Sequence, residues 1–188
     1  MLVALLAWSG LFRHVEDLSV DARLRLRMSQ PVSDEVRLVG IGDRDVGSPL
    51  GRWPFPRAVH GDVLRILKAV GARHVTFDVL FTEPSEVPEQ DTMLQQAVEQ
   101  HGQVTLAYHF EQAEAGTKAD ASEERHHFLT DGSRFGLQVK DWDLVRGLLP
   151  TAPFTRMKAG YGAVNAVPDT DGVIRRAPLF FAHEGRLY

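Results

Sequence analysis

Apolar residues open the chain in one unbroken block. Met1 to Phe12 reads MLVALLAWSGLF, with no charge before Arg13. A bilayer-spanning helix needs ~20 such residues, and a signal peptide needs a basic start and a small-residue cleavage site that this run lacks. The run fits the trailing end of a membrane or signal helix, with Trp8 as an interfacial anchor. It fits equally a buried N-terminal helix, and the pattern leaves both open. From Arg13 to Met28 charged and apolar residues mix. Val15, Leu18 and Ala22 follow a helical i, i+3, i+7 stripe, while residues 20–28 alternate in the manner of a strand. The arginines of this stretch read as a solvated face.

Regular periodicity follows. Val36-Arg-Leu-Val-Gly-Ile-Gly42 is apolar and predicts a buried strand. Pro54 and Pro56 precede a run in which Val59, Val63, Ile66, Leu67 and Val70 share a helical face. Pro56 suits the first turn of that helix and Gly71 the position just past its end. Val75-Thr-Phe-Asp-Val-Leu-Phe81 predicts a second strand. Asp91 is placed to cap a helix whose Leu94, Ala97, Val98 and His101 share a face, with Gly102 closing it. Val104-Thr-Leu-Ala-Tyr108 predicts a third strand. Strand–helix–strand–helix–strand at this spacing implies two right-handed crossovers and a parallel sheet.

The periodicity stops after Phe110. Residues 111–134 carry six acidic and three basic side chains and hardly an apolar group before Phe128, which reads as a disordered insertion rather than a lid. Beyond it, Tyr161 to Val167, the Asp-Thr-Asp-Gly turn at 169–172 and Val173 to Phe181 predict an antiparallel hairpin, because Asp-Gly favours the positive φ of hairpin turns. Glu184-Gly185 marks a second turn, and an end at Tyr188 is expected to leave the domain C-terminally incomplete. The expected fold class is α/β: a mainly parallel sheet with flanking helices and a C-terminal antiparallel hairpin.

Composition narrows the functional classes. The 188 residues hold 21 Lys plus Arg against 25 Asp plus Glu, a net charge of −4, which argues against nucleic-acid binding by counterion release. An apolar fraction of 44% and a charged fraction of 24% describe a globular domain, and the length suits one domain. The absence of cysteine removes disulfide frameworks, thiolate metal sites and cysteine nucleophiles together.

Familiar catalytic and cofactor motifs fail in turn. Gly40 and Gly42 follow a strand as in a dinucleotide-binding turn, but Asp45 stands where the third glycine belongs and the helix begins only after Pro56. No P-loop, serine elbow or His-Glu-x-x-His helix is present. Aligning Asp169-Thr-Asp171-Gly172 with a calcium loop puts Val167 at the first ligand and Pro178 where a bidentate Glu belongs. His126 and His127 read as a surface pair. No catalytic residue, metal or cofactor is therefore assigned.

What remains is a set of charged groups at the predicted carboxyl edge of the sheet. Asp43 follows the first strand and Asp78 lies late in the second, where open α/β sheets bind ligands. They can hold a cation or pair with Arg52 and Arg57, or simply cap turns. Gly51-Arg-Trp-Pro-Phe-Pro-Arg57 is a stiff, extended entry to a helix, and it reads best as a packed plug with Trp53 and Phe55 in the core.

Three stretches in order carry a resemblance: Gly51 to Arg57, Phe77-Asp-Val-Leu-Phe-Thr-Glu-Pro84, and Val164-Asn165 with Asp169-Thr-Asp-Gly-Val-Ile-Arg-Arg176. From about Asp21 to its end the chain resembles the type-two CHASE domain, the cyclase/histidine-kinase-associated sensing extracellular domain. The resemblance implies a bacterial receptor module outside the cytoplasmic membrane, on its periplasmic or extracellular side. Such a module follows one membrane helix and precedes others that lead to a histidine kinase, serine/threonine kinase, adenylate cyclase or diguanylate cyclase. It supplies no catalytic residue. One departure is Gly42-Asp43, where the family often has two adjacent acids, which weakens a paired-acid metal site.

Under this resemblance residues 1–12 are the end of a truncated N-terminal membrane helix and 13–188 the sensor domain. The implied partners are an unknown small-molecule ligand or stimulus, the membrane through flanking helices, and a second copy in a homodimer. Asp43, Arg52, Trp53, Arg57 and Asp78 are the expected ligand edge, with Asp171, Gly172 and Arg175 in structural support. Two rivals are a metal-assisted hydrolase built on Asp43, Asp45 and Asp78, and a passive dimerisation module.

Overall fold

The computed structural model describes residues 11–27, 33–47, 49–112, 144–148, 150–169, 171–175, 177, 182–183 and 186–187. Most of the apolar block at 1–12, the polar stretch beyond residue 112, His126 and His127 lie outside the described residues. The chain divides into two compact units, Met1–Gly40 with Val167–Ala177, and Ile41–Ala166 with Pro178–Tyr188.

The first unit is built on helix α1, Leu11–Leu26. The helical stripe outweighs the strand-like alternation of residues 20–28, and the helix runs through the arginines, with Arg23 Nε donating to the Ser19 carbonyl at 3.2 Å. In the same unit the Asp-Thr-Asp-Gly turn closes as expected. Gly172 N–H donates to the Asp169 carbonyl at 2.8 Å and Asp169 N–H to the Val173 carbonyl at 2.9 Å. Gly172 has φ 81°, which few other residues adopt. A long antiparallel hairpin about this turn is not formed among the described residues. Its first arm, near Tyr161, is committed elsewhere.

The predicted strand at 36–42 is a correction. No described residue of it joins a sheet, and Leu38 is 96% exposed, with Val36 and Val39 also open. An apolar run becomes a strand only when a neighbour takes its backbone hydrogen bonds. Here Gly42 and Asp45 turn the chain instead: Asp45 N–H donates to the Gly42 carbonyl and Gly42 N–H to Asp45 Oδ2, at 2.9 and 2.8 Å.

The second unit holds the sheet. Helix α2, Arg57–Ala69, is followed by strand β1, Val75–Leu80, helix α3, Pro88–His101, and strand β2, Val104–Gln112. Strand β3, Leu144–Leu148, pairs antiparallel with the far half of β2, and β4, Gly160–Ala163, pairs parallel with its near half. The three parallel strands thus lie in the order β1–β2–β4, with one crossover through α3. The third parallel strand is Gly160–Ala163, not residues 36–42. Strands β5, Ala182–His183, and β6, Arg186–Leu187, form a separate antiparallel ladder.

Both helices pack on one face of the sheet. Leu64 of α2 and Leu94, Ala97 and Val98 of α3 bury against Phe77, Val104, Leu106, Phe81 and Phe154. Helix α2 turns a different side inward from the expected one: His60, Gly61 and Leu64 are buried, whereas Ile66 and Val70 are exposed. Gly61 sits where the two helices meet, and a Cβ there would lie at ordinary contact distance from the Met93 carbonyl oxygen and Ala97 Cβ, 3.4 and 3.5 Å. Helix α3 starts at Pro88, three residues before the expected cap. Asp91 is inside the helix, and its Oδ2 accepts the Ser85 N–H at 2.9 Å. Gly71 and Gly102, with φ 90° and 81°, end the two helices as their positions predicted.

Candidate functional site

Strand β1 carries Asp78 to an open cavity of the second unit. Its side chains alternate, so Phe77 points into the core while Thr76 and Asp78 point to the face opposite the helices. Pairing is regular at Thr76 with Thr105 and resumes at Leu80 with Ala107. Phe77, Asp78 and Val79 therefore stand opposite Leu106 alone. A bulge of this kind bends the strand and re-aims its side chains. Asp78 sits at its centre, on the wall of a cavity of about 410 Å³ that also meets Thr76, Thr105, Ala107, Gly162 and Asn165.

Asn165 fixes the far wall. Beyond β4, Val164 N–H donates to the Tyr108 carbonyl at 2.9 Å. Asn165 then substitutes its side-chain amide for a strand backbone. Its Oδ1 accepts Phe110 N–H at 2.8 Å and its Nδ2 donates to the Phe110 carbonyl at 2.6 Å. Tyr161 holds the same region from the core side, donating to the Phe154 carbonyl at 2.7 Å, and burial pushes its phenol above the ordinary value.

The Gly51–Arg57 segment is half plug and half surface. Phe55 is 5% exposed and in the core, whereas Trp53, expected beside it, is 45% exposed. The indole rests edge-on against Phe55 and His60, at ring distances of 5.5 and 6.3 Å, so one side packs while the other meets solvent. Arg57 turns inward. Its guanidinium lies 4.5 Å from the centre of the Phe81 ring, donates to the Glu83 carbonyl at 2.9 Å and stands 3.4 Å from Asp91. Burial lowers the Arg57 pKa and Asp91 opposes that shift. His60 lies against Phe81 and Phe77, and burial together with the Arg57 charge pushes it down to about 4. It is neutral at physiological pH.

Asp43 and Arg52 are exposed. Asp43, Asp45 and Asp78 do not converge: among the described residues no three His, Asp or Glu side chains are grouped to hold a metal ion. The hydrolase alternative thereby loses its cation site.

Arg175 organises the first unit. Its Nε and Nη2 reach the two carboxylate oxygens of Asp21 at 2.7 and 2.8 Å, a bidentate fork across 154 residues of sequence. Nη1 and Nη2 also reach Asp171 at 2.9 and 2.8 Å, and Nη1 reaches Asp169 at 3.3 Å. The arginine side chain is 5% exposed. Hydrogen bonds from Arg175 hold Asp21 below the ordinary carboxylate range and bring Asp171 to about 2, where the Val173 N–H assists. Asp21 and then Asp171 raise Arg175 in return. The turn at 169–172 is thus clasped to helix α1.

These landmarks coincide with one family. A model of the CHASE2 domain matches residues 1–188, the whole chain. The chain belongs to the CHASE2 domain family. CHASE2 is a family of extracellular sensory domains of membrane receptors and is not a catalytic one. No curated protein and no solved structure matches this CHASE2 chain. Among its described residues no helix is long and apolar enough to cross a membrane.

The sequence pattern missed Asp21, His60, Asp91 and Asn165 as contributors. Asp21 carried a signal, as the one acid among the alternating arginines of residues 21–27. His60 did too, one helical turn before Leu64. Asn165 stood in the Val164-Asn165 stretch that carries the resemblance, but its role was not legible locally because it depends on where Phe110 lies.

Proposed function

We propose that this CHASE2 domain is the extracytoplasmic sensor of a bacterial transmembrane receptor, and that it passes its state through membrane helices to a cytoplasmic kinase or cyclase. The observation that carries the reading is the Arg175 clasp. Helix α1 includes Leu11 and Phe12, the last two residues of the apolar block in the sequence, and Asp21 on that helix is held by Arg175, just after the Asp-Thr-Asp-Gly turn. A stimulus that favours one arrangement of that segment over another changes the hold on α1. Only such differential affinity can move a two-state equilibrium. The domain has no catalysis of its own in this scheme.

A homodimer fits the scheme. Val15, Leu18 and Ala22 are exposed at three- and four-residue spacing along one stripe of α1, a face that suits contact with the same helix of a second copy.

The test joins the receptor's membrane-flanked domain to a reporter kinase. Asp21→Ala and Arg175→Ala are expected to shift basal output in the same direction, and the double variant to add nothing to either. Removing the domain should change output as well. A reporter indifferent to the whole domain's deletion would sink the sensor reading and leave the passive module.

A further inference from the structure

We propose that the cavity beside Asp78 binds a small organic cation: a ligand with a primary ammonium group on a short apolar body. This rests on the sensory reading and names a ligand class for it. The cavity, about 410 Å³, falls within the range of small-molecule sites. Small side chains make the room: Thr105, Ala107 and Gly162 floor the sheet where larger residues would fill it.

The polar groups of the wall decide the charge. Thr105 Oγ1 is shared with His74 Nε2 at 2.9 Å, and the Asn165 amide is engaged at both ends by Phe110. Asp78 and Thr76 remain, and neither side chain has a hydrogen-bond or ionic partner among the described residues. No Lys, Arg or His is among the described residues that line the cavity. A carboxylate without a counter-charge, carried on a bulge that directs it to the wall, selects a positive ligand.

An inorganic cation does not fit. Calcium takes about 6–8 oxygen ligands and magnesium a near-ideal octahedron, while this wall offers one carboxylate. An ammonium needs only a few acceptors. Asp78 and the Thr76 hydroxyl supply them, and Ala107, Ala163 and Val164 can cover an apolar body. A charge-assisted hydrogen bond in a half-open site is worth about tenfold in affinity, and a short amine should bind with a Kd of about 0.1–1 mM.

The experiment titrates the 15N-labelled 188-residue chain with three probes of equal length: n-butylammonium, n-butanol and butyrate. Butylammonium is expected to give saturable amide shifts concentrated at Thr76, Asp78, Thr105 and Gly162. Butanol should bind at least tenfold more weakly and butyrate not at all. Asp78→Asn, an isosteric change at an exposed side chain, should weaken butylammonium at least tenfold while leaving the amide spectrum elsewhere unchanged. Thr76→Val provides a second variant, expected to weaken it severalfold. Equal binding of butyrate, scattered shifts, or an undiminished titration in the Asp78→Asn chain would overturn the proposal. If no amine binds while Arg175→Ala still alters reporter output, the site fails and the receptor reading stands.

Discussion

Asn165 offers the most direct test of how this sheet is held. Replacing it with alanine strips Phe110 of the acceptor for its N–H at 2.8 Å and of the donor to its carbonyl at 2.6 Å. Phe110 is 3% exposed, so water cannot simply take both places. Each orphaned buried group costs ~1–3 kcal/mol. Asn165 itself is half-buried, which lets solvent in on its side, so the expected loss for Asn165→Ala is ~2–4 kcal/mol. Asn165→Asp refines the test. The shape is kept and the Phe110 N–H still has its acceptor, but at neutral pH a carboxylate faces the Phe110 carbonyl. Repulsion there raises the pKa of the N165D carboxyl in the folded state above its unfolded value. Its protonated form can donate to the carbonyl, so stability relative to the parent should recover as pH falls and be lost as pH rises through the folded pKa. Urea denaturation from pH 7.5 to 4, comparing parent, Asn165→Ala and Asn165→Asp, reads both effects. The reasoning fails if Asn165→Ala costs less than ~0.5 kcal/mol, the range of an ordinary surface change, or if the pH profiles of Asn165→Asp and Asn165→Ala run parallel.

Other consequences can be checked the same way. His60, held at about 4 against an ordinary 6.5, makes the unfolded chain bind more protons between those values. Its stabilisation is whole above pH 6.5 and drains as pH falls to 4. The full gap corresponds to ~3 kcal/mol, or ~2 after allowing for partial solvent screening. His60→Phe should flatten that part of the pH–stability curve, and an unchanged slope would refute the assignment. Arg57→Ala should destabilise by ~3 kcal/mol or more, because it leaves Asp91 buried without its cation, and a thermal melt within a degree of the parent would count against this. Gly160→Ala would place a Cβ 2.7 Å from Thr105 Oγ1. It should cost ~1–3 kcal/mol, relieved by adding Thr105→Ala, and a double variant no more stable than Gly160→Ala would disprove the clash. The clasp should survive mild acid: Asp171 is held at about 2, so its contribution is present above the unfolded value of 3.8 and fades only as pH falls toward 2. Loss of Arg175 NMR side-chain protection near pH 5 would contradict it.

Local features of the fold were legible because local physics produces them. Positive-φ glycines ended both helices where Gly71 and Gly102 stand, and period-2 burial marked β1. The errors arose where a residue's role depends on a distant partner. Residues 36–42 have strand composition but no strand to pair with among the described residues, and Gly160–Ala163, poor in β-branched residues, became a strand because β2 offered it an edge. The two arginines of the Gly51–Arg57 segment show the same limit at the candidate site. They looked alike in the sequence, flanking one aromatic motif, yet Arg57 is fixed between Phe81, the Glu83 carbonyl and Asp91, while Arg52 faces solvent. Periodicity could not separate them, because the deciding carboxylate lies on a helix whose start was itself misplaced by four residues. Arg175 is the extreme case: its partners at 169 and 171 were visible in the turn motif, but Asp21, the one that ties the turn to α1, lies 154 residues away. A contact that far apart in sequence leaves no periodic trace. Disturbing it should therefore alter coupling before it alters the local turn, whose backbone bonds from Gly172 and Asp169 close without α1.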